Sequence, residues 1–205
     1  MTDIFNTIAK PSSEVLFKDK GSKFFGYAFP IESEEDAKNY LEEIKNKHNS
    51  ARHHCYAWQL GFEKDNILFR ANDDGEPSNS AGMPIYGQIQ SFDITDVLIV
   101  VVRYFGGVKL GVGGLINAYK TAAQMSLEAS EIIEKTVDTH FLISFEYKHM
   151  NNVMRIIKER NLQLVDQTMN LSCEITVSIR KSLSQQVIEA FKPFYEIEVK
   201  ELDNS

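Results

Sequence analysis

The chain is poor in cysteine, in basic charge and in long apolar runs, and each shortage closes off a class of protein. Cys55 and Cys173 are the only two cysteines in 205 residues. A disulfide-stapled scaffold needs a denser set, and a structural zinc site needs closely spaced pairs. Two reduced, buried thiols are therefore expected. Basic side chains number 22 against 29 acidic ones, a formal net charge of -7. A protein that coats nucleic acid indiscriminately needs a basic excess to neutralise phosphates. Bulk charge argues against that role and leaves a local basic patch as the form any nucleic-acid site would take. The longest strongly apolar run, Val97 to Val102, is far shorter than the ~20 residues of a membrane span. Met1 to Lys10 has neither the basic start nor the apolar run of a secretory signal. A cytoplasmic location without a membrane partner is expected.

A chain of 205 residues suits two domains of roughly 100 residues each. Ser13 to Lys18 and the aromatic-rich Ser22 to Ile31 read as a hairpin across the turn Asp19-Lys20-Gly21. Ser33, with Asp36 at the capping-box position, opens a helix reaching about His48. His54 to Phe62 and Asn66 to Ala71 read as strands across Glu63 to Asp65, and Asn72 to Gly82 is too rich in turn formers for a regular element. Met83 to Gln90 predicts a short helix, and Asp96 to Tyr104 a central strand buried on both faces. A long helix is expected from Leu115 to Glu134, with the domain join at Thr136 to Thr139.

No glycine follows Gly114, which sets the rest of the chain apart. That part predicts strand (His140 to Tyr147), helix (Met150 to Arg160), two strands (Leu162 to Thr168, Leu171 to Ile179), helix (Leu183 to Lys192) and strand (Tyr195 to Glu201). This is the β-α-β-β-α-β order of ferredoxin-like domains. The expected class is α+β, with domains over residues 1–136 and 137–205.

Three clusters carry chemistry. Arg52-His53-His54-Cys55 lies at a strand entrance, where adjacent histidines point to opposite faces. Asp73-Asp74-Gly75-Glu76-Pro77-Ser78 is either a solvated acidic turn or an ordered loop, with Ser78, Asn79 and Ser80 available to cap the following helix. Arg103-Tyr104-Phe105 runs into a segment containing Gly106, Gly107, Lys109, Gly111, Gly113 and Gly114. A buried strand opening through glycines into a helix suits an anion cradle of backbone N–H groups; the same glycines also suit tight helix-on-sheet packing. The spacing matches neither a Walker loop nor a dinucleotide fingerprint. No complete catalytic constellation is present, and a metal-dependent hydrolase would have to assemble His53 or His54 with Asp73, Asp74 and Glu76.

Taken in order, SKFFGYAFPI, ARHHCYAWQLG, NDDGEPSNSAGMPI and DVLIVVVRYFGGVKLGVGGLINAYK resemble the signature blocks of the IMPACT (YigZ-type) family. The resemblance implies a first domain similar to the second domain of ribosomal protein S-five and to the fourth domain of elongation factor G. It implies a ferredoxin-like second domain similar to the fifth domain of that factor. Eukaryotic relatives regulate translation by binding the activator of a starvation-responsive kinase, a partner that does not carry over to the bacterial two-domain architecture. The binding residues the resemblance implies are Arg52, His54, Asp73, Asp74, Glu76, Pro77, Ser78, Arg103, Tyr104 and Lys109, gathered near one another with Asn117 and the glycines.

The expected function is a non-enzymatic, translation-linked regulator binding RNA, the ribosome or a translation-related protein. RNA would meet an exposed surface carrying Arg103, Lys109 and Lys120, with Tyr104 or Phe105 stacking on bases. The alternatives are a pure protein-interaction module and the metal-dependent hydrolase. No cofactor, resident metal or small-molecule substrate is expected.

Overall fold

The structure is a computed structural model that describes residues 3–62, 66–170 and 172–202. The turn expected at Glu63 to Asp65 and the strand start expected at Leu171 lie outside the described residues. The chain divides into two units, Phe5–Lys135 and a second made of Thr136–Ser205 with Met1–Ile4. This division lies one residue from the expected boundary between residues 136 and 137, and Asp3 and Ile4 fall with the second unit. Hydrogen bonds explain the transfer. The Asp3 carbonyl accepts from the Val137 N–H at 2.8 Å, and its carboxylate accepts from the Ser182 N–H at 3.2 Å and hydroxyl at 2.5 Å.

In chain order the first ten elements are β1 (Ile4–Ile8), β2 (Val15–Asp19), β3 (Ser22–Pro30), α1 (Glu34–Lys47), β4 (His53–Leu60), β5 (Leu68–Asn72), α2 (Gly82–Ser91), β6 (Val97–Tyr104), α3 (Gly111–Glu128) and β7 (Ile132–Thr136). A five-stranded sheet in the order β2-β3-β6-β4-β5 is antiparallel throughout. Lys20 and Gly21 both hold positive φ, the conformation that a two-residue hairpin turn requires. Ser33 Oγ accepts from the Asp36 N–H at 3.1 Å, while the Asp36 carboxylate reaches back to the Glu32 N–H at 3.0 Å. The capping box forms with its return bond one residue earlier than usual.

The alternation of β6 sorts the core. Val97, Ile99 and Val101 pack with residues of α2 and α3, including Ile85, Tyr119 and Ala122. Leu98, Val100 and Val102 face the α1 side with Tyr27, Phe29 and Ile44. A central strand covered on both sides needs this continuous apolar run. α3 departs from expectation: it begins at Gly111 and ends at Glu128. Ile132 and Ile133 are not in that helix. Their β-branched side chains suit a strand, and β7 pairs with β1 in a two-stranded ribbon.

The second unit continues with β8 (Asp138–Glu146), α4 (Met150–Glu159), β9 (Gln163–Met169), β10 (Ser172–Arg180), α5 (Ser184–Phe191) and β11 (Glu198–Leu202). Its sheet runs β11-β8-β10-β9, antiparallel at every pairing. This is the ferredoxin-like order. Phe141, Ile143 and Phe145 on β8 alternate inward to meet Val153, Ile156 and Val187 of the helices.

Gly106 sits where the hairpin turn meets the end of β6. A Cβ there would lie 1.8 Å from the Gly21 carbonyl carbon and 2.2 Å from the Ser22 nitrogen, a backbone collision that no side-chain rotation relieves. Gly113 is different, because a Cβ there would meet nothing within 4 Å. Gly106→Ala is therefore expected to destabilise by about 1–3 kcal/mol. Gly113→Ala is expected to stabilise by roughly 0.5–1 kcal/mol through helix propensity. Urea denaturation of the two variants checks the opposite signs; equal effects would contradict this packing.

Candidate functional site

The acidic loop between β5 and α2 is an ordered structure folded around Asp73. One carboxylate oxygen of Asp73 accepts from the N–H groups of Ala81 at 2.9 Å and Gly82 at 2.8 Å. The other accepts from the Asn79 N–H at 2.8 Å. Asp73 thus satisfies the free donors at the start of α2 from eight and nine residues upstream. The expectation that Ser78, Asn79 or Ser80 caps this helix is corrected: the cap position is Ala81, without a side-chain bond. The Ser80 hydroxyl instead donates to the Pro77 carbonyl at 2.5 Å, while Pro77 and Ser78 are exposed.

Asp74, at positive φ, fastens the loop to β4. Its carboxylate accepts from the His54 N–H at 2.7 Å, and its carbonyl accepts from His53 Nδ1 at 2.9 Å. The Cys55 thiol donates to the Asp73 carbonyl at 3.0 Å. Burial pushes that thiol well above the ordinary range, so it is held as an unreactive core group. Cys173 is likewise buried and free. The carboxylates that a hydrolase would need are committed to backbone and guanidinium groups. Among the described residues, no group of three or more His, Cys, Asp or Glu is placed to hold a metal ion.

Glu76 and Arg103 form a buried ion pair at 2.6 Å, their side chains only 4% and 7% exposed. Tyr119 of α3 donates its hydroxyl to the same Glu76 oxygen at 2.8 Å. The expectation of an exposed Arg103 is corrected, and the alternation of β6 explains why. Arg103 follows Val97, Ile99 and Val101 on the face beneath α3. Its guanidinium lies 5.6 Å from the ring centres of both Phe24 and Phe105, and its Nε has no hydrogen-bond partner. The acidic loop and the glycine junction therefore do not face each other across an open surface. They are joined by this pair.

Tyr104 points to the opposite face of the sheet, where His48 closes α1. Tyr27 donates to Glu14 at 2.5 Å, so the Tyr27 oxygen can only accept from His48 Nε2, 2.6 Å away. With that nitrogen protonated in the neutral ring, His48 Nδ1 is the acceptor for the Tyr104 hydroxyl at 3.0 Å. The hydrogen bond from Tyr27, more than the neighbouring Lys47, holds Glu14 below the usual carboxylate range. His54 Nε2 lies 3.2 Å from the His48 carbonyl.

The expected site residues thus separate into groups. Asp73, Asp74 and His54 build the loop, and Glu76 with Arg103 forms the buried pair. Arg52 and Tyr104 line a concavity with His53, Arg103 and Phe105. Lys109, Asn117 and Lys120 are exposed around the start of α3, with Gly111, Gly113 and Gly114 in its first turn. Gly107 and Gly111 hold positive φ. Sequence reasoning missed His48, whose place just after Lys47 marked it only as a helix end. It also missed Lys23 and Phe25, which line a second concavity with His48 and Tyr104. Strand alternation around the aromatic Phe25 was the available signal.

Burial lowers the pKa of both His48 and His54 below the ordinary 6.5. The unfolded chain then binds more protons than the folded one between the depressed and ordinary values, so stability falls as pH drops through 6.5. The urea midpoint is expected to decline as pH falls from about 7.5 to about 6, before the buried Asp96 carboxyl, held above the usual carboxylate range by burial, begins to oppose it. His48→Gln should flatten part of that slope. A midpoint that is constant or rises on acidification would contradict the burial of neutral imidazoles.

A sequence profile of the Impact N-terminal domain matches residues 20–127. An IMPACT family member of Haemophilus influenzae is 33% identical over 183 residues, covering 88% of this chain and 87% of that protein. IMPACT family member YigZ of Escherichia coli is 31% identical over 152 residues, 74% of each protein. Among solved structures, the crystal structure of a hypothetical protein matches with TM-score 0.74 at 25% identity, covering 100% of both chains. The profile takes in β3, the acidic loop and the glycine junction, and the relatives extend the match across most of the length: the chain belongs to the IMPACT family.

Proposed function

We propose that the protein is a non-enzymatic, translation-linked regulator whose first unit docks on the ribosome. The observation that carries this reading is how the polar side chains are used. Asp73, Glu76, Arg103 and Cys55 are engaged in internal contacts, which leaves recognition to what the same end of the unit exposes. Phe105, Val108, Val112 and Ile116 are 57%, 53%, 54% and 38% exposed. Lys109 and Lys120 are exposed beside them. Val112, Ile116 and Lys120 recur every fourth residue and so share one face of α3. The first turn of that helix contains no acidic residue, so nothing there repels phosphate. Apolar side chains interspersed with lysines suit a ribosomal surface, where protein and RNA backbone lie side by side. The link to translational regulation implied by the family resemblance supports the same direction.

No helix among the described residues is long and apolar enough to cross a membrane. Wild-type protein is expected to pellet with purified ribosomes. Val112→Asp combined with Lys109→Glu should reduce the bound fraction at least ~10-fold, the loss of ~1.4 kcal/mol or more, with circular dichroism unchanged. Absent pelleting, or pelleting indifferent to the double variant, would overturn the docking role. Loss of pelleting with retained binding to an isolated translation protein would move the contact to a protein partner.

A further inference from the structure

The end of the central sheet carries a groove that adjoins the exposed α3 strip and shares Phe105 with it. Two concavities of about 330 and 410 Å³ meet there, sharing Tyr104 and Phe105. Lys23, Phe25 and His48 line the first, and Arg52, His53 and Arg103 line the second. Neither lining includes an aspartate or glutamate, on a chain whose net charge is -7. Lys23 and Arg52 are exposed, and neither side chain has an ion-pair or hydrogen-bond partner among the described residues.

The walls offer two further kinds of group. Phe105 presents an exposed ring whose guanidinium neighbour, Arg103, lies 5.6 Å from the ring centre, so the ring is backed by a cation–π contact. Because the Tyr104 hydroxyl donates to His48 Nδ1, the Tyr104 oxygen keeps lone pairs to accept a bond from a ligand N–H. An aromatic shelf, an acceptor and two cations whose side chains have no partner together complement a flat ring with polar edges attached to phosphate.

We propose that this groove binds a nucleotide, with its base stacked on Phe105 and its phosphate charge drawn to Arg52 and Lys23. The ligand is either a free nucleotide or a unit of a single strand, since both present the same base and phosphate. The site goes beyond the ribosome-docking role and shares only Phe105 with that surface, since Arg52 and Lys23 lie outside it.

Fluorescence anisotropy on the purified full chain tests this with two labelled probes, adenosine 5′-monophosphate and a mixed-sequence single-stranded RNA of about nine nucleotides. Arg52→Ala and Phe105→Ala should each weaken binding about tenfold or more. Val112→Asp, outside the groove, should bind as wild type even if it no longer pellets with ribosomes. Two phosphate contacts to a strand predict a slope of about -1.4 for log affinity against log salt. Tighter binding of RNA than of the mononucleotide identifies a strand as the ligand, and equal binding identifies a free nucleotide. The proposal is overturned if neither probe binds, or if Arg52→Ala and Phe105→Ala bind as wild type while melting normally.

Discussion

The arrangement of the first unit depends on the buried ion pair between Arg103 and Glu76. A charge in the last stretch of a central strand is costly to desolvate, and only a close, well-oriented partner offsets it. Glu76 supplies that partner at 2.6 Å, and Tyr119 of α3 adds a hydrogen bond to the same oxygen. One carboxylate thereby ties the acidic loop, the end of β6 and the middle of α3 together. Removing either member alone would strand a charge in the core, which typically costs about 3–5 kcal/mol. The positions of Tyr104 and Phe105 follow from it, because both continue the strand that Arg103 anchors.

Around this pair, polar groups mainly shape backbone. Asp73 holds three N–H groups at the start of α2, and Asp74 pins the loop to β4 through the His54 N–H and His53. The loop is consequently a rigid plate. On the other face of the sheet, the Glu14–Tyr27–His48–Tyr104 chain sets one imidazole tautomer and orients the Tyr104 hydroxyl. Rigid backbone on one side and an oriented aromatic end on the other give the exposed residues of this unit a fixed frame.

Much of this architecture was legible from local patterns. The hairpin at Lys20-Gly21, the Ser33 cap, the apolar run of β6 and the ferredoxin-like order all follow from short-range turn, cap and periodicity signals. The strands Ile4–Ile8 and Ile132–Thr136 were not read, because each finds its partner across more than half the chain. The site was less legible for the same reason. Alternation along β6 could have placed Arg103 on the inner face, but only the folded loop supplies the Glu76 that makes such burial tolerable. His48 gave no motif, and its role depends on Tyr27 and Tyr104 arriving from two other strands. Asp73 resembled a solvated acid or a metal ligand until the donors it satisfies were in place.

A double-mutant cycle on the buried pair is the most direct test of this account. Stability to urea would be measured for Arg103→Met, Glu76→Leu and the double variant. The pair predicts that each single change destabilises more than the double change, with a coupling energy of about 2 kcal/mol or more. Additive single and double effects would contradict it, because two independent side chains do not share a buried charge balance.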